Sequence, residues 1–223
     1  MKRTQGFTLV EIAIVLVIIG LLLGGILKGQ EMITQAKIKN VISDFSGISA
    51  AYHGYQDRYR AIPGDDPNAA TRWQGPPAAT ISATAGEPGN GKVQGAWNST
   101  NNTDESRMWW DHLRRAGFVA GNGFQQPFNA VAGMIGVQTG DTNNGAIFGG
   151  FSGLIICSAN LPDKIAIAAD TQMDDGQTAS GSVRGLLQAA GPNPALGAGT
   201  NATPNATGYQ ESGTNLYILC RSL

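Results

Sequence analysis

A run of 21 residues near the N-terminus, Phe7 to Leu27, constrains the fold of this chain more than any other feature, because it is apolar or small except at Thr8 and Glu11. A helix of this length spans about 31 Å, the thickness of the hydrocarbon core of a bilayer. Lys2 and Arg3 precede the run, so the positive-inside rule predicts a cytoplasmic N-terminus and a periplasmic remainder.

The helical pattern continues beyond this run. Apolar residues recur every three or four positions, namely Ile38, Val41, Ile42, Phe45, Ile48, Tyr52, Tyr55 and Tyr59. This amphipathic stripe ends before Pro63, which disfavours helix at the preceding residue. We therefore predict one helix from about Phe7 to about Tyr59, roughly 80 Å long. The competing interpretation is a secretory signal peptide, whose apolar region is usually shorter and ends at a small-x-small cleavage site.

Glu11 is unexpected inside an apolar helix, because a buried, unpaired carboxylate costs several kcal/mol or stays protonated. One interpretation is an interfacial glutamate that reaches back to the lipid headgroups. Its neighbours favour another. A short basic leader ends in Gly6, and Phe7, Glu11 and an unbroken apolar run follow. This arrangement resembles the processing site of type IV pilins and their relatives.

The resemblance implies a sequence of events for the N-terminus. A prepilin peptidase cuts after Gly6 and methylates the new amino group of Phe7. The mature subunit waits in the lipid of the inner membrane until an assembly platform adds it to a helical filament of its own copies and other pilins. In the filament core, Glu11 neutralises the N-terminal ammonium of a neighbour. Small residues allow helices to approach closely, namely Gly20, Gly24, Gly25 and Gly29. Unlike many pilins, this chain has no proline in the middle of the helix.

The rest of the chain predicts short elements separated by loops. A helix is expected over Asp104–Ala116, with Asn102 as its cap, Glu105 as capping-box partner and Gly117 at its end. His112 on its apolar face is expected to be a packed core histidine rather than a ligand. The strand candidates are Gly153–Ser158, Lys164–Ala169 and Leu216–Cys220, with Leu161-Pro162-Asp163 as the turn of a hairpin between the first two.

The chain contains two cysteines, Cys157 and Cys220. An even pair in an exported domain predicts a disulfide, and the alternative is two buried free thiols in a cytosolic protein. A disulfide would close a loop of about 64 residues and stabilise the fold by roughly 4 kcal/mol in the chain-entropy account. The low-complexity stretch Gly191–Gly213 lies within that loop and is expected at the surface.

These observations predict an α+β, pilin-like fold with one long N-terminal helix packed on a small antiparallel sheet with long loops. The expected organisation is a leader over residues 1–6, a transmembrane or filament-core helix over 7–27, an amphipathic half over 28–60 and a periplasmic globular domain over 61–223. The net charge of −1 indicates no nucleic-acid partner.

Catalytic signatures are absent from the sequence, which has no GxSxG, HExxH or Walker loop, so neither an enzyme nor a cofactor is expected. Asp170, Asp174 and Asp175 offer hard oxygen ligands to calcium. They lack EF-hand spacing, and the alternative for them is a solvated turn.

The leading functional hypothesis is a structural subunit, major or minor, of a type IV pilus. The alternatives are a pseudopilin of a type II secretion system and a membrane-anchored periplasmic enzyme or binding protein. The N-terminus is common to the first two, whereas the cysteine pair favours the pilin. The expected location is the inner membrane as a single-pass protein, and then the pilus or a periplasmic pseudopilus.

Overall fold

The computed structural model describes residues 8–73, 88–140, 151, 153–188 and 207–223. In chain order the elements are α1 (Leu9–Tyr59), α2 (Ala69–Arg72), α3 (Glu105–Arg115), β1 (Ile135–Thr139), β2 (Leu154–Pro162), α4 (Asp163–Met173), β3 (Val183–Leu187) and β4 (Leu216–Ser222). The chain divides into two compact units, Met1–Lys37 and Ile38–Leu223, and α1 contributes to both.

In the first unit, α1 is an exposed apolar helix. Every residue from Leu9 to Leu27 is exposed to solvent. Within the described residues α1 is the one helix long and apolar enough to cross a membrane. The predicted long helix is therefore confirmed from Leu9 to Tyr59, while Phe7 lies outside the described residues.

In the second unit, α1 is amphipathic and supplies one side of the core. Its buried residues recur at helical spacing and are Ile38, Val41, Phe45, Ile48, Ala51, Tyr52 and Tyr55. They share one hydrophobic cluster with Trp109 of α3, Ile156 of β2 and Leu219 of β4. The fold is α+β and pilin-like, with the helix packed on a small antiparallel sheet, as the sequence predicts.

The sheet has four strands in the order β1-β2-β4-β3, and every neighbouring pair is antiparallel. Cys157 of β2 lies opposite Cys220 of β4, and the two are joined by a disulfide. The predicted disulfide is thus present, and neither cysteine is free. It fixes β4, the last strand, to the centre of the sheet.

The predicted strand over Lys164–Ala169 is wrong, because these residues belong to helix α4. Leu161 and Pro162 are not a hairpin turn but the last two residues of β2, and Pro162 is the N-cap of α4. The alternation of isoleucine and alanine suggested a strand, but alanine favours helix and is depleted in strands. The buried residues of α4 recur at helical spacing and are Asp163, Ile165, Ala166, Ala169 and Asp170.

The start of α3 also differs from the prediction. The N-cap is Asp104 rather than Asn102, and its side chain makes no capping bond, because its two oxygens accept hydrogen bonds from Ser99 and Asn101. The predicted end is correct. Gly117 has a φ of +82°, and the N–H of the next residue bonds the carbonyl of Leu113 in a Schellman-type turn.

Strands β1 and β3 were not predicted. Each has five residues, and each contains a glycine, Gly136 or Gly185, that weakens the sequence signal of a strand. A Cβ atom at Gly136 would overlap the carbonyl oxygen of Trp97, so the glycine is needed for close packing. Most of the predicted surface loop Gly191–Gly213 lies outside the described residues, and residues 207–213 form neither helix nor strand.

Candidate functional site

The candidate processing and assembly site lies at the start of α1. Gly6 and Phe7 are outside the described residues, which begin at Thr8. The Thr8 N–H and hydroxyl each donate to Oε2 of Glu11 at 2.8 Å, and the Glu11 N–H donates to the Thr8 hydroxyl oxygen at 3.3 Å. This is a reciprocal capping box, with Thr8 before the first helical residue and Glu11 three residues later. The Thr-x-x-Glu spacing is visible in the sequence, but our sequence analysis missed it.

The capping box changes the physical account of Glu11. In the subunit alone, the carboxylate is partnered by Thr8 and lies at the positive end of the helix dipole, where a negative charge is stabilised. An apolar helix can therefore carry this carboxylate at its end without leaving it unpaired. The same carboxylate is exposed, and so remains accessible to a cation from another molecule.

Four glycines of α1 have no steric role within the described subunit. A Cβ atom at Gly20, Gly24, Gly25 or Gly29 would meet no other atom within 4 Å. Glycine costs about 1 kcal/mol relative to alanine inside a helix. The presence of these glycines is explained either by helix flexibility or by close contact with a second helix, which small residues allow in membranes.

His112 is a packed core histidine, as predicted, and it lies in α3 with no exposed surface. Its Nδ1 accepts a hydrogen bond from the Gly64 N–H at 2.9 Å, so the proton of the neutral ring is on Nε2. Burial lowers its pKa to about 4, against the opposing charge of Asp66. His112 is therefore neutral at physiological pH and holds the segment after α1 against α3.

Three buried carboxylates surround this segment, and the sequence analysis named only one of them, Glu105, as a capping-box partner, a role that it does not have in the structure. Oδ2 of Asp66 accepts hydrogen bonds from the Tyr55 hydroxyl and from Arg72, both at 2.6 Å. Asp65 accepts three backbone N–H groups from residues 89–91. Because the partners of Asp65 lie 24–26 residues away, no local pattern identifies that residue.

Glu105, the third of these carboxylates, accepts the fewest hydrogen bonds. One of its oxygens accepts the Gln94 N–H at 2.8 Å, and the other is buried without a hydrogen-bond partner among the described residues. Burial raises its pKa from 4.5 to about 7, the Gln94 bond opposes this, and the charges of Asp65 and Asp104 add to it.

The predicted calcium candidates do come together. Asp170, Asp174 and Asp175 each place one carboxylate oxygen within 4.8 Å of the others. Asp170 is buried at the end of α4, Asp174 is partly buried and Asp175 is exposed. Asp174 and Asp175 are adjacent and Asp170 precedes them closely, so the cluster is visible in the sequence.

Comparison with known proteins adds one finding about the N-terminus. Residues 1–27 match the family model of the prokaryotic N-terminal methylation motif, which is the type IV prepilin signature. Searches of curated proteins and of solved structures gave no match. The motif covers the leader, Glu11 and the apolar part of α1. Together with the α+β, pilin-like architecture, the motif supports a prepilin-type protein, and it implies processing by prepilin peptidase and assembly with other pilins.

Proposed function

We propose that this chain is a structural subunit, major or minor, of a type IV pilus. The observation that carries the proposal is the methylation motif over residues 1–27, joined to a helix that is fully exposed from Leu9 to Leu27. The same helix becomes the buried core element of an α+β unit from Ile38 onward. An exposed apolar helix needs lipid or other subunits to cover it.

In this function, prepilin peptidase removes residues 1–6 by cutting between Gly6 and Phe7, and methylates the Phe7 amino group. Residues 7–27 lie in the inner membrane and later in the filament core. Residues 28–60 form the amphipathic half of the helix, and residues 61–223 form the periplasmic domain. The assembly platform and neighbouring pilins are the partners.

Glu11 has one partner before assembly and another after it. In the membrane its carboxylate stays with Thr8 in the capping box. In the filament it meets the N-terminal ammonium of an adjacent subunit. An unpaired ammonium buried in the core would cost about 3–5 kcal/mol. At about 1.4 kcal/mol per factor of ten, this equals about two to three and a half orders of magnitude in each docking equilibrium.

Three variants separate these two roles of Glu11. Glu11→Gln keeps the capping box, since glutamine also occupies this position, but removes the charge. Thr8→Val removes the hydroxyl of the cap and keeps the charge. Glu31→Gln, at an exposed residue of the same helix paired with Lys28, is the control. We measure the ratio of filament to membrane content with each variant as the sole copy.

The expected result is a filament ratio reduced by 100-fold or more for Glu11→Gln, a small reduction for Thr8→Val and none for Glu31→Gln. Normal filament content of Glu11→Gln would overturn the charge-pairing role. Mass spectrometry tests processing separately. We expect a mature chain that begins at Phe7 with one added methyl group, and an intact Met1 would overturn the proposed function.

A pseudopilin of a type II secretion system is the alternative, because it carries the same kind of N-terminus. The disulfide between Cys157 and Cys220 favours the pilin, since the main pseudopilin usually lacks such a pair. Immunogold labelling of the periplasmic domain distinguishes them. Labelled surface filaments support the pilus, and label confined to the periplasm supports the pseudopilus. A plain membrane-anchored binding protein would give neither processing nor filaments.

A further inference from the structure

The end of helix α4 concentrates negative charge. Asp170 is in the last turn of α4, and Asp174 and Asp175 follow the helix directly. One oxygen from each lies within 4.8 Å of the others. The last turn of α4 contains no basic residue, and the ion pairs seen among the described residues involve none of the three. The C-terminal end of a helix is also the negative end of its dipole, so it disfavours carboxylates and favours cations.

Asp170 is the innermost member of this cluster and has an unsatisfied oxygen. The residue has no exposed surface. Its Oδ2 accepts a hydrogen bond from the Tyr209 hydroxyl at 2.5 Å. Its Oδ1 is buried and has no hydrogen-bond partner among the described residues. An unpartnered buried oxygen of a charged group is costly, so this atom requires a proton or a cation.

The other two carboxylates are held in place by the loop that follows α4. Oδ2 of Asp174 accepts the N–H groups of Ser182 and Val183, where β3 begins. Asp175 accepts the Gln177 N–H and the Ser180 hydroxyl. These bonds hold both side chains in place while one oxygen of each lies near Asp170, so a ligand would meet a site that is already formed.

We propose that Asp170, Asp174 and Asp175 bind a divalent cation of the calcium class. The separation of the three oxygens is no more than twice a calcium–oxygen distance of about 2.4 Å, so one ion can contact all three. Calcium tolerates irregular geometry and completes its shell with carbonyl oxygens and water, whereas magnesium demands a near-ideal octahedron at about 2.0–2.1 Å. An exposed member, Asp175, gives the ion a path from solvent.

The bound ion would tie three parts of the fold together. Asp170 belongs to α4, Asp174 bonds the start of β3, and Tyr209 connects Asp170 to the segment before β4. Tyr209 also packs edge-on against Tyr217 of β4, with ring centroids 5.1 Å apart. Calcium is therefore expected to stabilise the C-terminal half of the domain, independently of whether the chain assembles into pili.

The test uses the full processed chain in detergent and terbium, a luminescent calcium mimic. Tyr209 is bonded to Asp170 and so lies close enough to sensitise bound terbium. We expect terbium emission that calcium displaces at least ten times more effectively than magnesium. Millimolar calcium should also raise the Tm by a few degrees, as expected for a ligand that binds the folded state alone.

Variants assign these signals to the cluster. Asp170→Asn and Asp175→Asn should each weaken calcium binding at least tenfold, and the exposed Asp175→Asn is the variant that leaves the buried core intact. Asp57→Asn, at an exposed residue of α1, is the matched control and should bind normally. Calcium binding retained in Asp175→Asn, equal affinity for magnesium, or no calcium response at all would overturn the proposal. In the last case Asp170 holds a proton instead.

Discussion

The free energy of unfolding should depend on pH because Glu105 is buried, and replacing Glu105 with glutamine should remove most of that dependence. Glu105 is fully buried at the start of α3. One of its oxygens has no hydrogen-bond partner among the described residues, and burial raises its pKa from 4.5 to about 7. The folded protein therefore binds a proton at Glu105 more tightly than the unfolded chain does.

The sign of the effect follows from linkage. Stability falls as pH rises wherever the folded state binds more protons than the unfolded state. For Glu105 the destabilisation is absent below pH 4.5, grows between pH 4.5 and about 7 and is complete above that range. The full difference corresponds to about 3 kcal/mol. Solvent screening and relaxation around the charge reduce it, and we expect about 1–2 kcal/mol between pH 5 and pH 8.

The measurement is urea unfolding of the full chain in detergent, followed by tryptophan fluorescence. Trp109 and Trp110 of α3 are fully buried and report the core around that helix, and the fully buried Trp97 reports the second hydrophobic cluster. A buried amide in Glu105→Gln shifts stability by the same amount at every pH, so the comparison rests on the slope with pH and not on the absolute value. Titrating groups that do not interact with Glu105 contribute equally to both proteins and cancel, whereas Asp65 and Asp104 are coupled to it and form part of the measured difference.

The control is Glu211→Gln, at an exposed residue paired with Lys164 at 3.5 Å, which should keep the pH dependence of the natural chain. If Glu105→Gln also keeps it, Glu105 is already charged at low cost and the reasoning from burial is wrong.

Three further predictions concern the C-terminal half of the domain and the sheet. Burial raises the pKa of Asp163, but three backbone N–H donors outweigh burial and lower the pKa overall. Asp163→Asn should therefore lower the free energy of unfolding by about 1–3 kcal/mol at pH 7, and by less at acid pH, where the natural carboxylate is protonated. Urea unfolding at pH 7 and pH 3 measures both values. Replacing Cys157 and Cys220 with serine should cost about 2–5 kcal/mol, and gel mobility should then be the same with and without reductant. Gly136→Ala should lower the Tm because its Cβ would overlap a carbonyl oxygen, whereas Gly153→Ala, with nothing within 4 Å, should not.

The parts of the fold that sequence predicts are those specified by long local patterns. Helix α1 carries its own signal over 51 residues, first as an unbroken apolar run and then as a helical stripe. Strand β4 and the disulfide were also predicted, since β4 is a compact apolar run that ends at a cysteine. Helix α4 was mistaken for a strand because its isoleucine–alanine alternation fits a period of two over a few residues. Only packing against the sheet resolves that ambiguity.

The residues of the candidate site likewise fall into those that a local sequence pattern predicts and those that depend on distant partners. The processing motif is one continuous segment, and Asp170, Asp174 and Asp175 lie close together in sequence at the end of α4, so residue types and spacing were enough to identify them. The buried carboxylate Asp65 depends on backbone donors 24–26 residues away, and no local pattern encodes that distance. The capping box of Thr8 and Glu11 could have been predicted, because its Thr-x-x-Glu spacing is present in the sequence.

The exposed helix also indicates what makes the proposed filament selective. Residues Leu9–Leu27 are exposed in the subunit and apolar except at Glu11. In the proposed function, lipid covers them before assembly and other helices cover them afterwards. Lipid tails are as apolar as leucine side chains, so moving this surface from lipid to neighbouring helices gains little hydrophobic free energy. The preference for the filament must then come from groups that lipid cannot satisfy. In the proposed filament those are the Glu11 carboxylate, which Thr8 partners but lipid tails do not neutralise, and the glycines from Gly20 to Gly29, whose small size allows another helix to approach closely. Substituting these few residues should therefore affect assembly far more than substituting any leucine of the helix by isoleucine.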